Sequence, residues 1–336
     1  MRAQVLHDTG PVESEPLTFE DVADPVPAGG ELVLDVAACG VCRTDLQEVE
    51  GDLDRRRSPV IPGHQIVGVV AAVGEGVTGW RIGDRAGVGW LGGACGECRF
   101  CRTGRENLCE AAVFTGWDVD GGYAEKARVR ADYAFALADG MADVDVAPLL
   151  CGGVIGYRAL QVSEIAPGGA LGLYGFGASA LLTLQVATHW GCEVFVATRS
   201  ESERNRALEL GAAWAGGYED RPPVPLDAVV TFAPVGSVVI RALQALDRGG
   251  IVVINAIHLD GIPAFDYDDL WLERQIRSVA NFTKADAKEF LALASEIPIR
   301  TVVQEYPLAE ANAALLDLRE GAVHGAAVLA VRGQRA

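Results

Sequence analysis

Apolar positions fall into two regimes along the chain. Up to residue 152 they form short runs rich in Val and Leu, such as 32–36 (LVLDV) and 66–70 (IVGVV), broken by glycine turns at 74–76 and 83–84. Runs of this length, rich in β-branched residues and bounded by Gly and Asp, predict the strands of a compact β-rich domain. From 153 onward, strand-like runs at 170–174, 193–198, 227–232 and 251–255 alternate with helical stretches at 180–190, 201–210 and 238–246. Within 180–190, Leu181, Leu184 and Ala187 recur on one helical face, and Gly211 supplies a stop after 201–210. Alternation of this kind predicts an α/β fold, a doubly wound parallel sheet with helices on both faces. A last helix at 309–318 and a strand at 326–331 are expected to pack back onto the first domain.

The chain has 336 residues, more than one hydrophobic core usually serves, so two domains are expected. Its charge-free run at 165–192 is long enough for a membrane span, but it contains Pro167, six glycines, Gln185 and His189. It reads instead as a strand, a glycine turn and a buried helix. A formal net charge of −18 excludes binding driven by phosphate neutralisation, so neither nucleic acid nor an anionic membrane is an expected partner. Residues 1–8 hold no apolar stretch of signal-peptide length, and a cytoplasmic enzyme is the expectation.

Eight cysteines stand at 39, 42, 95, 98, 101, 109, 151 and 192. Without a secretory signal their spacing points to metal rather than to disulfides. Cys95, Cys98, Cys101 and Cys109 form C-x2-C-x2-C-x7-C, close enough in sequence to close a tetrahedral shell around one ion. Structural zinc fits this pattern, and an iron–sulfur cluster competes because C-x2-C-x2-C is also a ferredoxin spacing. Cys42, His64 and Cys151 offer two thiolates and an imidazole, a set that leaves the fourth zinc position open. Taken singly, each reads equally well as a small buried thiol or a turn residue.

Gly175-Phe176-Gly177-Ala178-Ser179-Ala180 follows an apolar strand and opens a helix, the G-x-G-x-x-A form of a dinucleotide turn. Gly175 permits the tight turn, Gly177 lets the backbone approach a pyrophosphate, and Ala180 keeps the helix close to the sheet, with Ala178 at the helix start that attracts phosphate. The second strand ends in Thr198-Arg199-Ser200 with no carboxylate for a ribose 2′-hydroxyl. A guanidinium flanked by hydroxyls suits a 2′-phosphate, which favours NADP(H), with NAD(H) as the alternative.

In this order, residues 40–45 (GVCRTD), 62–64 (PGH), the four-cysteine segment, 150–152 (LCG) and the turn 175–180 resemble the zinc-containing medium-chain alcohol dehydrogenase family over essentially the whole chain. The resemblance implies a GroES-like catalytic domain of residues 1–152 and 289–336, with a structural zinc lobe at about 92–112, and a Rossmann domain of 153–288. It places the active site in the cleft between them and resolves the four-cysteine site toward zinc, giving two Zn2+ per subunit. It makes Cys42, His64 and Cys151 the catalytic ligands and Cys95, Cys98, Cys101 and Cys109 the structural ones. Thr44 matches the hydroxyl that shares a proton with the substrate, Asp45 the carboxylate that orients the ligating imidazole, and Arg43 a position reaching the cofactor pyrophosphate. Cys39 and Cys192 match no ligand position and read as packing residues.

The implied reaction is reversible hydride transfer between a primary alcohol, aliphatic or aromatic and including cinnamyl types, and NAD(P). A homodimer or homotetramer is expected. Trp90 and Ile155, with Trp117 behind them, are candidate pocket residues. Two departures stand out: Gln65 follows the ligand His where many relatives have Glu, and Gln47 stands where many have a proton-passing His. Glutamine is no base, so either water carries the proton from Thr44 and the ribose, or turnover and its pH profile differ from the family pattern. Two rival readings follow. One is a zinc-independent enone or quinone reductase, which would lack the Cys42, His64 and Cys151 set. The other is a cofactor-binding or structural protein with impaired catalysis.

Overall fold

The computed structural model describes residues 1–256 and 258–332; residues 333–336, which the sequence reading assigns to the first domain, lie outside them. The chain divides into two compact units. Met1–Cys151, Thr283–Glu296 and the segment from Arg300 form one, and Gly152–Phe282 with Ile297–Ile299 form the other.

The first unit is built on a largely antiparallel seven-stranded sheet. Its longest strand, Glu31–Val41, pairs with Gln65–Val73 on one side and with Ala326–Ala330 and Lys126–Arg130 on the other. Leu32, Leu34 and Val36 alternate along it and are fully buried, as a half-buried strand requires. Register shifts between Val33 and Leu34 and between Val36 and Ala38 mark bulges that bend this strand before it reaches Cys39 and Val41. Ala326–Ala330 is the C-terminal strand that the sequence expects to return, and it brings Val303–Pro307 with it as a parallel edge.

The return to this unit begins at Thr283, ahead of residue 289 in the sequence reading. The N–H and hydroxyl of Thr283 both donate to Asp286, at 2.7 and 2.6 Å, and the Asp286 N–H donates back to the Thr283 hydroxyl at 3.2 Å. This reciprocal cap starts the helix Lys284–Glu296, which buries Ala287, Phe290 and Ala294. The Lys284 N–H also donates to the Glu106 carboxylate at 2.6 Å, which ties the helix start to the cysteine lobe.

The second unit is a six-stranded sheet whose neighbouring strands are all parallel. In spatial order the strands are Trp214–Gly216, Glu193–Ala197, Ala170–Tyr174, Leu226–Thr231, Leu246–Ile254 and Gln275–Ser278. The order reverses between the first and fourth of these in the chain, the switch point at which doubly wound sheets bind ligands. Leu171, Leu173, Val229, Val230, Val252 and Val253 are wholly buried, as expected for strands covered on both faces.

Helix Gly152–Ser163 lies tight against helix Ala178–His189. A Cβ on Gly152 would meet the Ser179 hydroxyl at 2.9 Å, and one on Gly156 would meet the Thr183 hydroxyl at 2.1 Å. These two glycines, one turn apart, permit the close approach that fixes the helix following the dinucleotide turn.

Run 165–192 folds as the strand Ala170–Tyr174, a turn and the helix Ala178–His189, with Leu181, Leu182, Leu184 and Val186 buried. By length and apolarity a membrane span is possible at Asp143–Ser163, but 67 % of its apolar window is buried inside the fold. That stretch is also interrupted by the 3-10 turn Ala147–Leu150 and the irregular backbone of Cys151.

Candidate active site

Three separate elements of the first unit bring the ligand set together. Cys42 follows the long strand and caps the helix Arg43–Glu50 in an extended conformation. His64 precedes the strand Gln65–Val73 by one residue, after a turn in which Gly63 has φ 96°. A Cβ on Gly63 would strike the Tyr123 ring at 2.2 Å and the Cys39 thiol at 2.9 Å, so only glycine fits there. Cys151 follows the 3-10 turn Ala147–Leu150.

The ligand atoms of Cys42, His64 and Cys151 all lie within 4.8 Å of one another. Cys42 Sγ and His64 Nε2 are 3.5 Å apart. Tetrahedral zinc with a Zn–S bond near 2.3 Å and a Zn–N bond near 2.0 Å spaces those atoms by about 3.5 Å, so the donor set fits the ion. Among the described residues the set is two thiols and an imidazole, which leaves one position open.

Asp45 organises the set from behind. Its side chain is wholly buried; one oxygen accepts the Cys42 N–H at 2.7 Å and the other lies 3.1 Å from His64 Nδ1. One carboxylate therefore caps the helix and orients the imidazole so that Nε2 faces the thiols. The electrostatics are those of a cation site. The hydrogen bond with Cys151 and then burial push the Cys42 thiol well above its ordinary range. Burial lowers His64, but Asp45 and the Cys42 thiolate outweigh it and leave the imidazole raised. A divalent ion replaces the protons on such a site.

Thr44 stands on the first turn of the same helix and is buried, while Arg43 is exposed. Gln65 is buried with its side chain folded across Gly40, where a Cβ would meet its Oε1 at 2.5 Å, and its Nε2 has no partner among the described residues. Gln47 likewise buries an unpartnered Oε1.

An aromatic stack flanks the ligand histidine. The Trp90 ring meets His64 edge-on at 5.0 Å and stacks on Phe114 at 5.1 Å and on Trp117 at 5.8 Å. Arg56 covers Trp117 at 4.1 Å and pairs with Asp118 at 3.2 Å. Trp117 thus belongs to the same layer as Trp90, and Phe114 joins it unannounced, since an isolated Phe in a short strand carries no sequence signal. Ile155 sits half-buried on the helix Gly152–Ser163 of the second unit.

The four-cysteine lobe closes on itself. Cys95, Cys98, Cys101 and Cys109 place their sulfurs within 4.8 Å, with Cys95–Cys101 at 3.8 Å and Cys95–Cys109 at 3.5 Å. A zinc tetrahedron with 2.3 Å bonds has edges of about 3.8 Å, so one ion fills the space. A multi-iron cluster needs its cysteines on separate irons, farther apart, which removes that alternative. The Cys98 N–H donates to Cys95 Sγ at 3.3 Å and the Cys101 N–H to Cys98 Sγ at 3.5 Å. Backbone N–H groups of Glu97 and Cys98 hold the Cys95 thiol down at about 6. Cys39 and Cys192 are buried and belong to neither set.

In the second unit Gly175 has φ 92°, and a Cβ there would meet the Ala233 nitrogen at 2.8 Å. Gly177 caps the helix with open space where its Cβ would be, and the helix start has no side-chain cap. Ala178 opens that helix and Ala180 is fully buried. Free N–H groups beside an open backbone form a cradle for a pyrophosphate. At the end of the second strand the Thr198 hydroxyl donates to Glu203 at 2.8 Å, and the Ser200 hydroxyl accepts the Glu203 N–H at 3.3 Å. Both hydroxyls are committed to the next helix; Arg199 is the exposed one of the three. Glu203 escaped the sequence reading because a first-turn Glu after Ser reads as helix capping alone.

An open cysteine–histidine metal site, a closed cysteine site and a dinucleotide cradle on a parallel sheet together define a zinc-dependent oxidoreductase of nicotinamide cofactors. Residues 28–139 match the alcohol dehydrogenase GroES-like domain model. The Mycobacterium tuberculosis protein named probable alcohol dehydrogenase AdhA is 51 % identical over 98 % of this chain and 97 % of its own length. An alcohol dehydrogenase of Geobacillus stearothermophilus is 33 % identical over 99 % of each chain. Among solved structures, the cobalt- and zinc-bound thermostable alcohol dehydrogenase of Pyrobaculum aerophilum superposes with a TM-score of 0.89 at 27 % identity, over 98 % of this chain and 99 % of that one. A cinnamyl alcohol dehydrogenase of Sorghum bicolor gives 0.89 at 25 % identity, over 99 % and 98 %. The chain belongs to the zinc-containing medium-chain alcohol dehydrogenase family and is an NAD(P)-dependent alcohol dehydrogenase.

Proposed function

We propose that this enzyme interconverts primary alcohols and aldehydes, aromatic and cinnamyl types included, with NADP(H) preferred over NAD(H). The observation that carries the reading is the convergence of Cys42, His64 and Cys151, with Asp45 fixing the imidazole. These three hold the catalytic zinc, and Cys95, Cys98, Cys101 and Cys109 hold a second, structural one. When bound, zinc supplies a Lewis acid for the substrate oxygen and the nicotinamide exchanges the hydride.

The chain's own groups do the rest. Thr44 accepts the proton of the substrate hydroxyl, Asp45 keeps His64 in its ligating orientation, and Arg43 meets the cofactor pyrophosphate together with the N–H groups around Gly175, Gly177, Ala178 and Ala180. The Trp90 stack, next to His64, presents a flat apolar wall that suits an aromatic substrate. Arg199 supplies the charge for a 2′-phosphate, with Thr198 and Ser200 holding the strand end that presents it. The catalytic domain comprises the first unit and the nucleotide domain the second. A cytoplasmic homodimer or homotetramer completes the reading.

The test is metal analysis of the purified protein together with reduction of benzaldehyde and cinnamaldehyde by NADPH and by NADH. Two zinc per chain and turnover favouring NADPH are expected. One zinc per chain with no turnover of any aldehyde or alcohol would sink the reading in favour of a cofactor-binding protein.

A further inference from the structure

The helix Arg43–Glu50 carries a buried acid with no part in either metal set or in the nucleotide cradle. Glu48 is 4 % exposed, and both of its carboxylate oxygens are buried with no hydrogen-bond partner among the described residues. A buried carboxylate without donors is strongly disfavoured, so its oxygens must be met by water or by a proton. Nothing in the sequence marks it, because a Glu in a short helix ordinarily faces solvent.

Its position gives it a use. Thr44 and Glu48 are four residues apart on one helix, which puts them on one face with Cβ atoms about 5–6 Å apart. Both are buried, and one water bridges side chains at that separation. Gln47 lies on the same helix, and its amide neither takes nor gives a proton at neutral pH. Asp45 is already committed to the Cys42 N–H and to His64. Asp45, His64, Cys42 and Asp118 act on Glu48 through their charges, and Glu48 acts in turn on the phenol of Tyr123. Of these, Asp118 leads outward: its side chain is 17 % exposed and pairs with Arg56, itself 47 % exposed.

We propose that Glu48 is the proton-relay group of this enzyme, taking the alcohol's proton from Thr44 through one water in place of the route that Gln47 lacks. The inference rests on the alcohol dehydrogenase reading and on the role assigned to Thr44. In oxidation the substrate O–H bond breaks as Thr44 Oγ receives that proton. Thr44 gives its own proton to the water, which protonates Glu48, while the hydride goes to the oxidised nicotinamide. The neutral acid then releases the proton to bulk water on the Asp118 side. Reduction of the aldehyde runs the same transfers backwards. Burial, reinforced by Asp45, raises Glu48 above the usual carboxylate range.

The experiment compares the zinc-loaded, full-length enzyme with its Glu48→Gln variant in benzyl alcohol oxidation across the acid-to-alkaline range. The variant is expected to lose kcat on the order of 10²-fold at neutral pH, with KM and zinc content unchanged. The acidic limb of its kcat profile should disappear, imidazole in the buffer should restore the rate, and adding Gln47→His should do the same. An unchanged kcat and acidic limb would overturn the proposal. Should Glu48→Gln lose zinc or fold poorly, wild-type enzyme decides by pre-steady-state kinetics with a pH indicator. Proton release that lags cofactor reduction and slows in heavy water is expected. Release in step with reduction, with no solvent isotope effect, overturns the relay. Zinc-loaded wild type that oxidises no alcohol at all instead removes the reading on which the relay rests.

Discussion

The two cysteine sites are opposites in construction. In the four-cysteine lobe all ligands come from one short segment, the thiols range from exposed to buried, and local backbone N–H groups bond the sulfurs. At the second site the ligands lie 22 and 109 residues beyond Cys42, on three elements, and a buried carboxylate orients the imidazole. A local site can form with little help from the fold; a dispersed one exists only after the strand, the turn at Gly63 and the 3-10 turn before Cys151 are in place. The difference teaches that closure comes from local sequence and openness from the scaffold. Three ligands held from afar can keep a fourth position vacant, whereas a tight C-x2-C-x2-C segment wraps its ion.

The largest effect that would break this comparison is expected from Cys42→Ala. It should abolish turnover while leaving one zinc bound and the melting transition near that of wild type; retained activity would mean the dispersed set is not the reacting site. Next, Cys98→Ser should leave residual activity in folded enzyme but lower Tm by roughly 10 °C, because a structural zinc contributes folding free energy directly. Scanning calorimetry with and without chelator checks it, and an unshifted Tm would show that the lobe is not a structural support.

Legibility follows the same division. The lobe is readable because its four ligands share one segment. The strand Ala170–Tyr174 and the glycine turn are readable for a similar reason, since propensity and motif coincide there. Helix 238–246 is read two residues late, and Leu246 proves to start the next strand, Leu246–Ile254. Asp247, Arg248, Gly249 and Gly250 have the composition of a turn and bulge, without register partners, between Leu246 and Ile251, which pair with Leu226 and Ala228 and so keep them within one strand. Gln275–Ser278 is unreadable because three of the four residues of this edge strand are polar. At the active site, Glu48 and Phe114 stay hidden: their meaning lies in burial and in neighbours distant along the chain, which periodicity does not report.

Smaller effects sharpen the picture. Asp45→Ala should weaken zinc at the dispersed site by about 10–100-fold without touching the lobe, measured by competition with a chromogenic chelator. Equal loss at both sites would point to general unfolding. Arg199→Ala should lower the NADPH/NADH preference in kcat/KM by about tenfold, the worth of one charge-assisted bond, since Thr198 and Ser200 are engaged elsewhere. A constant ratio would move cofactor choice to other residues.

Cys151 ends the N-terminal segment of the first unit and Gly152 opens the second unit, so a metal ligand and the glycine that seats the nucleotide helix share a peptide bond. For anyone recombining this enzyme with a homologue, that bond is a poor place to splice. A crossover there takes the metal ligand from one parent and its helix seat from the other, and both must agree on backbone geometry at a single joint. Exchange of nucleotide modules should succeed more often when the graft carries the stretch from Ala147 through Gly156 as one inherited piece.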